Sequence, residues 1–120
     1  MSTTHDRPAR VAHEFQRELG AVIGRGLKDP RITGFITVTG AKMSPDLKEV
    51  TAYVSIHGEE PVRKQTFAGL EAAAGYLQRE VSRALRLRYT PHLHFAYDGS
   101  VAEGDKIERL LKQVRDKEGW

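Results

Sequence analysis

The strongest constraint on this chain is a helical pattern that is long for so small a protein. Phe67, Leu70, Ala74, Leu77, Val81 and Leu85 recur at three- and four-residue steps in a chain of 120 residues. An unbroken helix from Val62 would run about 25 residues and roughly 37 Å, while the chain length allows one domain with one modest core. Gly75 sits near the middle of this run, where glycine costs about 0.8–1 kcal/mol relative to alanine, and Gly69 adds a similar cost. Two reasons would justify Gly75: close packing, or a break that lets both halves of the helix lie over one sheet. The stretch Leu70–Tyr89 is therefore expected to hold a helix broken near its centre.

The flanking segments supply the sheet. FITVTGAKM (35–43) and EVTAYVSIH (49–57) are rich in β-branched and aromatic residues. In the second, Val50, Ala52, Val54 and Ile56 alternate with polar or amphipathic residues, which turns one face to a core. Ser44-Pro45-Asp46 between them has turn chemistry and predicts a hairpin. A third strand is expected at HLHFAYD after Pro91, with Leu93, Phe95 and Tyr97 on one face. Upstream, Val11, Phe15, Leu19, Val22 and Leu27 mark an amphipathic helix over about residues 7–28, with Asp6 as N-cap and Pro8 in its first turn. Lys28–Arg31 (KDPR) ends it. Downstream, Ser100 and Glu103 form a capping box before Ile107, Leu110, Leu111 and Val114, a last helix. The expected order is α–β–β–α(break)α–β–α. Residues 1–6 read as a flexible start, 7–98 as the domain and 99–120 as a helix packed on it or tethered to it.

Composition removes several function classes. The chain has no cysteine, which excludes disulfides, thiolate metal sites and cysteine nucleophiles and suits a reducing cytoplasm. Its start lacks the apolar stretch of a secretory signal, and charges interrupt every apolar run long before membrane length. Gly20, Gly24 and Gly26 lie inside a helical pattern without a Gly-Lys-Ser/Thr, so close helix packing explains them better than a phosphate loop. His92 and His94 share a side of a strand, but no further ligand is indicated, and His5, His13 and His57 lie on other elements. HEFQR at His13 lacks the second histidine of a zinc-hydrolase helix. Asp29, Asp46 and Asp98 serve as caps or turn formers, and Ser44 precedes a proline in a turn rather than standing on a nucleophile elbow. No catalytic set converges, and no cofactor or metal is expected.

Charge distribution carries the main functional signal. Net charge is +3, and between Tyr76 and Tyr97 four arginines face a single acid, Glu80. The segment 98–120, by contrast, holds six acids and five bases. On a helix Arg79, Arg83 and Arg86 would share one face, Arg88 would follow at its end, and Tyr89 adds a stacking ring. Such a stripe can hold phosphates at fixed spacing. The same residues would also suit a solvated face whose stems cover the core. Three bases beside one acid favour the anion-binding reading.

The order helix–strand–strand–helix–helix–strand is that of the type II K-homology (KH) fold, an α+β nucleic-acid-binding domain that normally carries Gly-x-x-Gly between its paired helices. None occurs here between Val62 and Tyr89. Instead the chain resembles the ribosome-binding factor A family over about residues 7–111. The resemblance rests on RPARV, LKDPR, ITVT, SPDLK with VTAYVSIHG, AAAGYLQRE, LRLRYTPHLHF and DGSVAEGDKIERLL, in that order and spacing. It implies a KH type II-like fold in which an Ala-x-Gly kink, Ala73 and Gly75 here, replaces the Gly-x-x-Gly turn.

The resemblance further implies a cytoplasmic, monomeric, non-enzymatic factor that binds the immature 30S subunit and its 16S rRNA near the 5′ region and the decoding region. Family members assist late rRNA processing and maturation, including in the cold, and are linked to an assembly GTPase. It marks Arg79, Arg83, Arg86 and Arg88 as RNA contacts, with Lys28, Arg31, Arg7 and Arg10 as secondary ones. Gly40 and Lys42 stand where the family usually has a basic residue followed by an acid, and His94 replaces a frequently basic residue. Members with a longer C-terminal tail would make contacts that a chain stopping at Trp120 lacks. RNA would be read mainly by shape and backbone, since few aromatics interleave with the bases. Two other functions remain open from the residues alone: a helix–turn–helix DNA-binding protein, and a small metal-dependent hydrolase using the histidines.

Overall fold

The computed structural model describes residues 3–98, with side chains from Arg7 onward. Five elements follow in order: α1 (Thr3–Gly24), β1 (Phe35–Met43), β2 (Glu49–His57), α2 (Glu60–Ala84) and β3 (His92–Tyr97). The sheet order is β1-β2-β3. β1 pairs with β2 antiparallel, and β2 pairs with β3 parallel, Val50 opposite Leu93 and Val54 opposite Tyr97. Both hairpin strands have the bounds their composition predicts. The last helix expected over 99–120 lies outside the described residues.

β2 is the centre of the core. Val50, Ala52, Val54 and Ile56 are buried, and Met43, Leu93, Leu70, Leu77, Val81, Phe15, Leu19 and Val22 close around them. α1 lies against β1, while α2 lies against β3 and α1. β1 joins this core through a bulge between Val38 and Gly40. The extra residue, Thr39, switches the inward parity, so Ile36 and Val38 face the core before it and Ala41 and Met43 after it. The turn is held by its own side chains. Ser44 Oγ donates to Asp46 Oδ1 at 2.7 Å, and Lys48 N–H donates to the same carboxylate at 3.1 Å. On β3, Tyr97 stacks on Phe67 with centroids 4.4 Å apart, and its hydroxyl donates to the Arg63 carbonyl. Burial of this ring edge raises the Tyr97 pKa above its usual value.

Three sequence expectations about the helices change. α1 starts at Thr3, so Asp6 and Pro8 lie within it rather than at its cap and first turn. A proline about one turn in forfeits few helical hydrogen bonds. α1 also stops at Gly24, four residues short, because Gly26 takes the left-handed conformation (φ 100°) that ends helices. Close packing does not explain its glycines: a Cβ on Gly20, Gly24 or Gly26 would meet nothing within 4 Å.

The second helix is not divided in two. α2 is one element of 25 residues that carries Ala73 and Gly75 in its interior. Packing instead demands Gly69. A Cβ there would stand 2.6 Å from Cγ1 of Ile32, in the loop that crosses α2 and donates Gly34 N–H to Thr66 Oγ1. At Gly75 a Cβ would meet only Nη1 of Arg79, at 3.5 Å.

These two glycines should therefore respond oppositely to alanine. Gly75→Ala is expected to raise stability by about 0.8–1 kcal/mol through helix propensity. Gly69→Ala should lower it by about 1–2 kcal/mol, because the clash with Ile32 outweighs the same gain. Urea denaturation of both variants checks the signs.

Candidate nucleic-acid interface

The basic residues singled out in the sequence fall into three places. Arg79 and Arg83, four apart near the end of α2, share a face and are exposed. Arg83, itself exposed, lies 3.6 Å from the half-buried Glu80, a surface pair of little energetic weight. Arg79 folds back so that its guanidinium lies over Gly75.

Arg86 does not continue that face, contrary to the spacing argument. The helix ends at Ala84, and a Schellman turn follows: Arg86 N–H donates to the Arg83 carbonyl and Leu87 N–H to the Ser82 carbonyl. This turn puts Arg86 in the left-handed region (φ 56°), where glycine is favoured and a side chain costs about 1 kcal/mol. Arg86 and Arg88 lie beyond the end of the helix, and both are exposed. The Arg88 guanidinium carbon lies 5.6 Å from the centroid of the exposed Tyr89 ring.

The second place is the loop after α1. Arg31 is committed locally, because its Nη2 and Nε reach both Asp29 oxygens at 2.6 and 3.0 Å and its backbone N–H donates to Oδ1. These hydrogen bonds, with the adjacent positive charge, lower the Asp29 pKa to about 2. Lys28 beside it is exposed. Arg31 is thus the least available of the predicted contacts.

The third place was legible only in part. Arg7, on the first turns of α1, lines the same groove as Arg88 from the α2–β3 loop. Lys48, which sequence reasoning passed over as part of a turn, lines it too. Parallel pairing of β2 with β3 brings the hairpin turn beside Pro91, and nothing in a single sequence states that pairing. Arg10 is exposed one turn further along α1.

Gly75 and its neighbours border a different groove, of about 390 Å³, between α2 and β3. Its wall is fixed by Gln78, whose Oε1 accepts the Leu93 N–H at 2.9 Å on the free edge of β3. Ala73 packs partly against the core, so of the expected Ala-x-Gly pair only Gly75 borders this groove. His92 and His94 stand beside it with ring centroids 4.4 Å apart, and His94 Nε2 meets Glu49 Oε2 at 2.6 Å. Among the described residues, no three His, Asp or Glu side chains converge as a metal-ligand set.

A three-stranded mixed sheet backed by two helices, with cationic side chains at the end of the crossover helix, defines an α+β domain of the KH type II-like class. The sequence matches the family described as Ribosome-binding factor A over residues 7–111, and the chain belongs to that family. It is 77% identical over 113 residues to ribosome-binding factor A of Anaeromyxobacter sp. (strain K), covering 94% of this chain and 82% of that one. Its fold is similar to the solution structure of a Thermotoga maritima protein described as a putative ribosome binding factor A (TM-score 0.67, 30% identity, 80% of this chain and 91% of that one). It is also similar to the Thermus thermophilus ribosome binding factor A coordinates fitted into a cryo-EM map of a 30S complex (TM-score 0.64, 27% identity, 78% and 97% covered).

Two measurements probe this surface. Arg86→Gly should raise stability by about 0.5–1 kcal/mol by relieving the left-handed backbone, while weakening binding to polyanionic RNA. In the folded protein the Asp29 carboxylate should titrate near 2 by NMR, and Arg31→Gln should return it toward 3.8. Because folding lowers this pKa, the loop's stabilisation is complete above about pH 4 and fades as pH falls toward 2.

Proposed function

We propose that this chain binds RNA of the small ribosomal subunit through the arginines at and beyond the end of α2, and that it acts by binding rather than by covalent catalysis. The carrying observation is Arg86, a cation in a turn position that favours glycine, flanked by the exposed Arg79, Arg83 and Arg88. Backbone strain of this kind concentrates at functional sites. Lys28, Arg7 and Arg10 are secondary contacts, and Arg31 contributes only by leaving Asp29. Family membership and the 30S complex of the Thermus relative support the small subunit as partner.

The finer reading follows the family resemblance. The chain associates as a monomer in the cytoplasm with immature 30S subunits, near the 5′ and decoding regions of 16S rRNA. There it assists late processing and maturation, including in the cold, in functional connection with an assembly GTPase. Gly75 serves this reading as the small residue over which the Arg79 guanidinium lies. A helix–turn–helix DNA-binding mode is disfavoured because α2 offers one continuous helix where that motif needs two joined by a turn.

The triple variant Arg79→Ala/Arg83→Ala/Arg86→Ala should bind structured 16S rRNA fragments more weakly, with the slope of log K against log salt reduced by about 2–3. An unchanged slope in a folded variant would sink the reading. Wild-type protein should co-sediment with small-subunit precursors, and at matched salt it should prefer structured rRNA to duplex DNA.

A further inference from the structure

The groove shared by Arg7, Lys48 and Arg88 has a chemistry that phosphate binding alone does not use. It encloses about 710 Å³, within the range of small-molecule pockets and large enough for a nucleotide. Its floor is apolar, built from Val11, Met43, Leu47 and Leu87. Leu47 takes a left-handed backbone (φ 62°) at the hairpin turn, so a leucine stands where glycine is favoured and adds its side chain to that floor.

The rim is cationic. Arg7, Lys48 and Arg88 come from three separate elements, and among the described residues none of them is in an ion pair. Asp46 is the one acid lining the groove, and its carboxylate already accepts hydrogen bonds from Ser44 Oγ and Lys48 N–H. Tyr89 completes the site with a ring that is 74% exposed and unneeded by the core.

An apolar floor, an aromatic face and three cations outside any ion pair among the described residues suit one ligand chemistry better than others: a flat base joined to phosphates. A duplex presents phosphates but keeps its bases stacked, so it would leave the floor unused. We infer that this groove captures one unpaired RNA nucleotide, its base on Tyr89 and the apolar floor and its flanking phosphates on Arg7, Lys48 and Arg88. This rests on the RNA-binding reading above and adds to it a single-stranded element within an otherwise backbone-directed contact.

The test compares a fluorescein-labelled, mixed-sequence hexaribonucleotide with an abasic ribose-phosphate hexamer, using the full chain. Wild type should prefer the hexaribonucleotide by about 5- to 100-fold, the factor a single stacked base supplies. Tyr89→Ala should lose that preference and bind both probes alike, whereas Tyr89→Phe should keep it. Lys48→Gln should weaken both probes equally and reduce the salt slope by about one. Thermal melts should be unchanged, since both side chains are exposed.

Equal wild-type affinity for the two probes, or an undiminished preference in Tyr89→Ala, would overturn the inference. So would groove variants that bind every RNA normally but co-sediment poorly with small-subunit particles, which would assign the groove to a protein. Binding to structured 16S rRNA fragments, measured in parallel, separates the two readings. If it persists while hexamer discrimination fails, only the groove proposal falls; if it too is absent, both fall.

Discussion

Because β2 pairs with β3 in parallel, the chain must leave one end of the sheet and re-enter at the other, and that requirement organises everything after His57. β2 has nine residues and spans about 30 Å, whereas α2 with its 25 residues rises about 37 Å. The helix therefore covers the return in one piece with about a turn to spare, and no break is needed. What the excess length requires is a sharp reversal at the C-terminal end. The Schellman turn at Arg86–Leu87 supplies it and delivers the chain through Pro91 to β3.

The reversal is also where the cations gather. A glycine at Arg86 would relax the backbone, and the core gives no reason for arginine there, since the side chain is exposed. Local stability and surface chemistry pull in opposite directions at this residue. Leu47, on the hairpin turn, shows the same conflict with an apolar side chain. The two left-handed non-glycine residues among those described thus border the α2–β3 reversal and the groove beside it.

Glycines show the complementary logic. Gly69 is required by its neighbour, because Ile32 and the Asp29–Arg31 loop occupy the space a side chain would need. Gly75 is required by no neighbour and borders the α2–β3 groove, where a Cβ would make only ordinary contact with the folded-back Arg79. A helix carrying both accepts a propensity cost of about 2 kcal/mol in total, which core packing of Leu70, Leu77 and Val81 must offset.

Local order is written in short-range patterns. Alternation at Val50–Ile56, turn chemistry at Ser44–Asp46 and the three- and four-residue steps of α2 are properties of neighbouring residues, so strand bounds and the core stripe were readable. The bulge at Thr39 has a local signature too, in apolar positions 36, 38, 41 and 43 that change parity. The rest depends on contacts between distant parts of the chain. Whether a mid-helix glycine breaks, packs or lines a groove depends on what lies across from it, and Ile32 settles this for Gly69 from 37 positions away. Arginines at helical spacing said nothing about where the helix stops, so Arg86 left the predicted face when the Schellman turn closed. Arg7, Lys48 and Arg88 became neighbours through the parallel pairing of β2 with β3 and the packing of α1 against β1 and α2, non-local contacts to which no local pattern in the chain points.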